Sequence, residues 1–273
     1  MSFDSFWHGS LQRPYKLHAV SHGDFDKPVV ILLHGIAASG EAWGTLVPLL
    51  TPQYRCITID LLGFGKSPKP QWAAYDIDQH VRSIHRTVRS LHIRGDYILV
   101  GHSLGSLLAT TYARRYPSHI RRMLLLSPPV YPPLSTIAGK LALKRTDLLM
   151  RVYRILRESA RITPTSLNRL GRLGVVPRSV STHPETWLPF KRSLERCIEQ
   201  QTIEADIKDV DIPIDIIYGK LDTVVIGENV RALARLRDVE VRTFRGNHTL
   251  GRTYARTVAK LLMSHSVNST TPS

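Results

Sequence analysis

The feature that most constrains the fold is a repeated alternation between short, nearly continuous apolar runs and longer amphipathic stretches. Runs such as PVVILLHG at 28–35, YRCITIDL at 54–61 and YILVG at 97–101 are rich in leucine and β-branched residues. Such runs are typical of strands that are covered on both faces. Between them, residues 77–92 place apolar side chains at steps of three and four, which predicts an amphipathic helix. This order predicts right-handed βαβ units and a mostly parallel α/β sheet flanked by helices.

The alternation stops at residue 130 and resumes near residue 211. Between these points the sequence holds basic helical patterns, LALKRTDLLMRVYRILRESAR at 141–161 and ETWLPFKRSLERCIEQ at 185–200, with no clear strand signal. The strand pattern returns with IPIDIIYG at 212–219. We therefore predict a helical insertion, residues 130–210, within one α/β core made of residues 1–129 and 211–265. The polar end, residues 266–273, is predicted to be a flexible tail.

The formal net charge of the chain is +15, from 37 Lys/Arg and 22 Asp/Glu. Such an excess attracts anionic partners through long-range fields. Residues 130–200 hold 13 Lys/Arg and 5 Asp/Glu, so the inserted segment is predicted either to be a solvated basic surface or to touch anionic lipids. We predict no nucleic-acid partner, because no nucleic-acid-binding motif accompanies the charge. No apolar run reaches about 18 residues, so no transmembrane segment is predicted.

Cysteine and histidine usage argues against a disulfide framework and against a metal centre. Cys56 and Cys197 each lie in an apolar pattern and are predicted to be buried or half-buried small side chains. Together with a start that lacks a secretory signal pattern, this favours a cytoplasmic protein. The sequence holds no Cys-x-x-Cys pair that would complete a metal site with its histidines, so we predict no metal and no cofactor. His80, His85 and His92 are predicted to form a solvated helix face.

The pentapeptide Gly-His-Ser-Leu-Gly at 101–105 stands between a predicted strand and a predicted helix. This is the setting in which a nucleophilic serine occupies the apex of a strained turn. A side chain at Gly101 or Gly105 would clash with the neighbouring strand or helix. The amide groups at the start of the helix favour negative charge that develops beside Ser103.

A serine hydroxyl needs a general base, and the base needs an orienting group. Asp222 follows the strand pattern of IIYG, and His248 follows the strand pattern of VRTF. The carboxyl ends of parallel strands meet at one edge of the sheet, so these residues can converge with Ser103. The order serine, acid, histidine along the chain is that of a hydrolase built strand by strand.

Taken together, five motifs resemble those of the α/β-hydrolase family, in the same order and over nearly the whole chain. They are HGIAASGEAW at 34–43, DLLGFGKS at 60–67, GHSLG at 101–105, GKLDTVV at 219–225 and GNHTL at 246–250. The resemblance implies that the helical insertion is a cap. It also implies that Ser103 is the nucleophile, His248 the general base and Asp222 its orienting acid. The backbone N–H groups of Ile36 and Leu104 would then bind the oxyanion.

Within this family a serine at the elbow excludes the dehalogenases and epoxide hydrolases, which use an aspartate there. The resemblance therefore implies a serine hydrolase, and we predict that it cleaves carboxylic esters of small or medium acyl substrates. Two alternatives stay open: a carbon–carbon bond hydrolase of ring-cleavage products, and a small-molecule receptor on the same fold. The sequence does not indicate an oligomeric state. The predicted pocket residues are Val130, Tyr131, Leu134, Trp187, Leu188, Val224 and Leu250.

Overall fold

The computed structural model describes residues 13–159, 161–172 and 183–267. A seven-stranded sheet has the order β1-β3-β2-β4-β5-β6-β7. Strand β1 pairs antiparallel with β3, and the other neighbouring pairs are parallel. The prediction of a mostly parallel α/β sheet is confirmed. The strands are β1 (Ala19–His22), β2 (Val29–Leu33), β3 (Arg55–Ile59), β4 (Tyr97–His102), β5 (Ile120–Leu126), β6 (Ile214–Gly219) and β7 (Val239–Phe244).

Helices cover both faces of the sheet because side chains along a strand point alternately to its two sides. The helices are α1 (Val47–Leu50), α2 (Ile77–Ser90), α3 (Leu104–Arg115), α4 (Lys140–Glu158), α5 (Pro164–Arg172), α6 (Pro184–Ser193), α7 (Ile203–Lys208), α8 (Gly227–Ala232) and α9 (Arg252–Val267). In β2 every side chain is buried, but Val30 and Leu32 pack with α1 and α9, whereas Ile31 and Leu33 pack with α2 and α3.

The register of the sheet brings several strand ends to one edge. Leu33 at the end of β2 lies beside Ile59 of β3 and Gly101 of β4. On the other side of β4, His102 pairs with Leu126 of β5, and β6 and β7 end together at Gly219 and Phe244. The loops that follow β2, β3, β4, β6 and β7 therefore all begin at the same edge, which is where ligands bind in open parallel sheets.

Residues 130–210, here called the cap segment, connect β5 to β6 and contain helices α4 to α7, with no strand in its described part. Helix α6 continues directly into a π-helical turn, Leu194–Glu199. Pro189 lies inside α6 and cannot donate the backbone hydrogen bond of a regular helix. The end of the segment returns to the core through α7, where Asp206 accepts a hydrogen bond from Thr111 of α3 at 2.7 Å.

Several local expectations differ from the structure. The helix expected over residues 77–92 ends at Ser90. His80 is fully buried and contacts Ser193 of α6 through its ring nitrogen at 3.1 Å, so the prediction of a solvated histidine face is wrong there. Both cysteines are buried and free, as predicted. Helix α9 reaches Val267, and the rest of the predicted tail, 268–273, lies outside the described residues.

Candidate active site

The turn between β4 and α3 holds Ser103 in a backbone conformation that L-residues rarely adopt. Its φ is 51° and its ψ is −117°, outside the main allowed regions, and such strain costs about 1–3 kcal/mol. Both flanking glycines are required by close backbone contacts. A Cβ atom at Gly101 would lie 2.2 Å from the carbonyl oxygen of Gly105, and one at Gly105 would lie 2.2 Å from that of Leu33. The turn can therefore form only with glycine at both positions.

His248 and Asp222 form a buried pair at the same edge of the sheet. The His248 Nδ1–H group donates to Asp222 Oδ2 at 2.8 Å. Asp222 Oδ1 accepts the backbone N–H groups of Val224 at 2.9 Å and Val225 at 3.0 Å. Because the carboxylate holds the proton on Nδ1, the other ring nitrogen of neutral His248, Nε2, is the acceptor. This is the tautomer that a general base requires.

The environment of Asp222 favours the ionised carboxylate. Burial alone would raise its pKa, but the hydrogen bond from His248, the backbone N–H of Val225 and the hydroxyl of Ser127 outweigh burial and lower the pKa. The Ser127 hydroxyl also contacts the hydroxyl of Tyr254 at 3.0 Å. Neither Ser127 nor Tyr254 was singled out from the sequence. No motif marks them, because they reach Asp222 only through the packing of β5 and α9.

His102, next to Ser103, is a structural neighbour of His248. Its Nε2–H group donates to the backbone carbonyl of His248 at 2.9 Å, and the two rings lie 4.9 Å apart. Burial lowers the pKa of His102 to about 3, so the ring is neutral near pH 7. A neutral, hydrogen-bonded ring at this place holds the His248 loop against the end of β4.

The loop after β2 passes directly beside Ser103. A Cβ atom at Gly35 would lie 3.2 Å from the Cβ of Ser103, so the backbone of Gly35 and Ile36 comes close to the serine. His34 stabilises this loop: its Nδ1–H donates to the Gly35 carbonyl at 2.7 Å, and its Nε2 accepts the N–H of Leu61 at 2.9 Å. Burial lowers the pKa of His34 to about 4, which keeps Nε2 unprotonated and able to accept.

A cavity of about 1260 Å³ opens beside Ser103 and His248. Its wall includes Ile36, Val224 and Leu250, which the sequence analysis assigned to the site. The cap segment supplies nine more apolar residues of the wall, from α4, α5, α6 and the π-helical turn. These residues are Leu148, Leu149, Val152, Tyr153, Leu156, Leu167, Phe190, Leu194 and Ile198.

The other predicted pocket residues do not lie on the wall of this cavity, and the prediction is corrected there. Val130 is buried, and its carbonyl accepts a hydrogen bond from Asn229. Tyr131 is also buried, and its hydroxyl donates to the Val224 carbonyl at 2.8 Å, behind the wall. Leu134 is 41% exposed on the surface.

Trp187 and Leu188 also do not line the cavity, because they lie on a different face of α6. Thr186, Phe190, Leu194 and Ile198 line the cavity, at steps of four along α6 and its π-helical extension. Trp187 is only partly buried, and its ring stacks on Phe190 at a centroid distance of 5.4 Å. The four-residue spacing is a signal that was present in the sequence, but a spacing alone does not say which face meets the cavity.

No group of three or more metal-ligating side chains lies together within the described ranges. Among the helices of the same ranges, none is both long and apolar enough to cross a membrane. What the site does contain is a strained serine, a histidine–carboxylate pair and an apolar cavity. A serine beside a histidine–carboxylate pair is an arrangement suited to acyl transfer.

The family model described as alpha/beta hydrolase fold matches residues 28–250. The structure of an esterase from Exiguobacterium antarcticum superposes with a TM-score of 0.73 and 19% identity, covering 92% of this chain and 95% of that chain. At this identity the superposition speaks for the fold.

Curated relatives match over shorter segments. "Probable lysophospholipase BODYGUARD 1" of Arabidopsis thaliana is 39% identical over 115 residues, which is 40% of this chain and 24% of that protein. A "Haloalkane dehalogenase" of Bradyrhizobium diazoefficiens is 38% identical over 99 residues, 36% of this chain and 31% of that protein. The matched segment thus spans less than a third of either relative, and the two relatives are named for different reactions.

Proposed function

The chain belongs to the alpha/beta-hydrolase superfamily, and from that premise we propose that it is a serine hydrolase that cleaves carboxylic esters through an acyl-serine intermediate. One observation carries the proposal above the others. The 2.8 Å hydrogen bond between His248 and Asp222 lies at the edge of the cavity that also exposes Ser103. A nucleophile, a base and an orienting acid are the minimum that this chemistry needs.

In the proposed first step His248 Nε2 accepts the proton of the Ser103 hydroxyl while Oγ attacks the ester carbonyl carbon. Asp222 keeps the ring oriented and stabilises the imidazolium that forms. The tetrahedral intermediate collapses when His248 gives the proton to the departing alkoxide, which leaves as an alcohol. A water molecule, deprotonated by the same ring, then attacks the acyl-serine carbonyl carbon. The second tetrahedral intermediate expels the Ser103 oxygen, which takes the proton back from His248, and the carboxylic acid leaves.

We propose that the negative oxygen of the tetrahedral intermediate is held by the backbone N–H groups of Ile36 and Leu104. Leu104 is the first residue of α3, and the first N–H groups of a helix have no partner within it. The close passage of Gly35 along Ser103 brings the next amide, that of Ile36, to the same side. Loss of one such donor typically costs about 3 kcal/mol of transition-state stabilisation.

The cavity favours an apolar acyl group. At about 1260 Å³ it exceeds the roughly 300–1,000 Å³ of most small-ligand sites, so longer chains fit as well as the small and medium ones predicted from the sequence. The relative named as a probable lysophospholipase makes a single-chain phospholipid a natural test substrate. The relative named as a haloalkane dehalogenase is a weaker guide, because Ser103 stands where that chemistry uses an aspartate.

The experiment is a substrate panel with matched variants. It comprises p-nitrophenyl esters from acetate to palmitate, a thioester, lysophosphatidylcholine and a vinylogous dienoic acid. We expect ester hydrolysis by the wild type, and a fall in kcat of about 10⁴-fold or more in Ser103→Ala. A fluorophosphonate should label the wild type and the control Ser90→Ala, a serine at the far end of α2, but not Ser103→Ala.

Three outcomes would overturn the proposal. Retained activity or retained labelling in Ser103→Ala would show that another group is the nucleophile. Turnover of the dienoic acid without turnover of esters would favour carbon–carbon bond hydrolysis. Stoichiometric labelling of Ser103 without multiple turnover on any substrate would favour a small-molecule receptor.

A further inference from the structure

The cap helix α4 exposes an unusual number of large apolar side chains on one side. Leu141 is 64% exposed, Leu148 61%, Val152 36% and Ile155 57%. We call these four residues the α4 stripe. Their spacing of seven, four and three residues places them on one face of a helix. Isolated surface leucines are ordinary, but an aligned apolar row on a surface helix indicates a contact with something apolar.

Basic side chains flank the α4 stripe. Lys144 and Arg151 lie along one side of it on the helix and Arg145 along the other, as the 100° turn per residue dictates. Arg151 pairs with Asp147 at 2.8 Å, and Arg145 comes within 3.9 Å of Glu228. Lys140 and Lys144 have no carboxylate within 4.0 Å in the described part of the chain. The helix thus combines an exposed apolar row with uncompensated positive charge.

The α4 stripe is continuous with the mouth of the active-site cavity. Leu148 and Val152 belong to the stripe and also line the cavity. The next face of the same helix, with Leu149, Tyr153 and Leu156, forms the cavity wall. A surface that covered the stripe would therefore lie directly at the opening through which a substrate reaches Ser103.

We propose that α4 is a docking element for an anionic lipid surface, with its stripe inserted among the acyl chains and its lysines and arginines at the headgroups. An amphipathic helix with apolar side chains on one face and basic residues beside them lies in the plane of such an interface. Positive charge next to the membrane is attracted by anionic lipids. The excess of Lys/Arg within residues 130–200 gives the cap segment the positive charge that an anionic lipid surface attracts.

Docking in this orientation places the cavity mouth against the lipid. A single-chain or double-chain lipid could then enter the cavity without crossing water. This delivery role rests on the proposed function, but docking itself does not, because it needs no turnover. A second copy of the chain is the other apolar partner that could cover the stripe, and the experiment distinguishes it.

The test measures vesicle binding by flotation with Ser103→Ala, which removes hydrolysis of the vesicle lipids. One set of vesicles is phosphatidylcholine alone, and the other contains about 30 mol% phosphatidylserine, a strongly anionic surface. We expect binding at least tenfold tighter to the anionic vesicles, with release as salt is raised to about 1 M, where the screening length is about 3 Å.

Two variants locate the docking surface. Leu141→Glu with Ile155→Glu changes the two stripe residues that do not line the cavity, and it should lower anionic vesicle binding at least tenfold. The matched control is Phe25→Glu, which is 73% exposed and lies over Arg55 at the start of β3, at the opposite edge of the sheet. The control should bind as the parent does. Both should keep the parent's melting profile and, with Ser103 restored, the wild-type rate on a water-soluble ester.

Three other outcomes of these experiments would each contradict the docking proposal. Equal binding to neutral and anionic vesicles would show that the basic residues beside the α4 stripe do not contribute to binding. Unchanged binding by the double variant would place the lipid contact elsewhere. If no vesicles bind and light scattering finds a dimer that the double variant dissociates, the stripe is an interface between two copies. Failure to hydrolyse any ester would sink the proposed function but leave the vesicle result intact.

Discussion

The α/β core and the cap segment pack their apolar residues in different ways. In the core, β2 buries all five of its side chains between two layers of helices. In the cap segment, α4 buries few side chains, lines a cavity with others and exposes four large apolar ones. The core is thus closed packing that holds a few polar groups in place, whereas α4 carries apolar side chains both towards the cavity and towards the outside.

This difference determines how well the functional residues of each region can be predicted from the sequence. Ser103, Asp222 and His248 were singled out from the sequence because each follows a strand and sits in a turn with strict backbone demands. Val130, Tyr131, Leu134, Trp187 and Leu188 were chosen for their apolar character, and the structure places none of them on the cavity wall. A strained turn requires particular residues such as glycine, so the sequence reveals it. The orientation of a helix requires no particular residue and is not visible in the sequence.

The largest expected effect tests the chemistry of the core. Asp222→Asn removes the charge that stabilises the protonated His248 and permits the wrong ring tautomer. We expect kcat to fall about 10⁴-fold while KM and the fold change little. Steady-state kinetics with circular dichroism checks this. A loss below tenfold would mean that Asp222 is only a structural partner of His248.

The second prediction compares one glycine from each region. At Gly105 a Cβ atom would meet the backbone oxygen of Leu33 at 2.2 Å, whereas at Gly139, before α4, the nearest atom lies at 3.7 Å. We expect Gly105→Ala to lower the free energy of unfolding by about 3 kcal/mol or more, and Gly139→Ala by about 1 kcal/mol or less. Denaturant titration of the two proteins measures both values. Similar losses of unfolding free energy would show that the backbone before α4 is packed as tightly as the turn at Ser103.

The third prediction tests which cap residues shape the cavity. Leu149 is half-buried and lines the cavity, so Leu149→Phe should fill part of it. We expect the ratio of kcat/KM for long over short p-nitrophenyl esters to fall about tenfold, since small changes in an apolar pocket are worth about 1–3 kcal/mol. Trp187→Ala should leave the ratio within about twofold. A change of the ratio in Trp187→Ala with no change in Leu149→Phe would show that Trp187, and not Leu149, shapes the cavity.

The smallest expected effect concerns pH and the contact between the two regions. Burial lowers the pKa of His80 to about 3, far below its value of about 6.5 in an unfolded chain. Between these values the unfolded state binds the extra proton, so the free energy of unfolding falls as pH falls from about 6.5 towards 3. The slope is at most about 1.4 kcal/mol per pH unit for each such histidine.

His80→Leu removes one histidine from this balance. The slope of the unfolding free energy against pH should become shallower by about 1.4 kcal/mol per pH unit, the contribution of one proton. His34 and His102 should still contribute to the slope, because burial lowers their pKa values too. Urea titrations at several pH values measure the slopes. An unchanged slope in His80→Leu would show that His80 is not neutral at this contact between α2 and α6.

Much of the fold was predictable because strands covered on both faces need continuous apolar runs. The parallel sheet, the position of the helical insertion and the turn at Ser103 all follow from such local requirements. The burial of His80 on α2 was not predictable, because Ser193, a hydrogen-bond partner of its ring, lies more than a hundred positions away in the sequence. The same holds for Ser127, which follows β5 and hydrogen-bonds to Asp222.

The sequence by itself predicted the turn at 101–105, the mostly parallel sheet and the places of Asp222 and His248 directly after their strands. These depend on local steric rules: glycine where a Cβ atom has no room, and short apolar runs where strands are buried. Only the tertiary structure decided which faces of α4 and α6 meet the cavity and which face outward. A helix presents a new side chain every 100°, so several of its faces can carry apolar residues. Which face is covered is set by packing against elements that lie far away in the sequence.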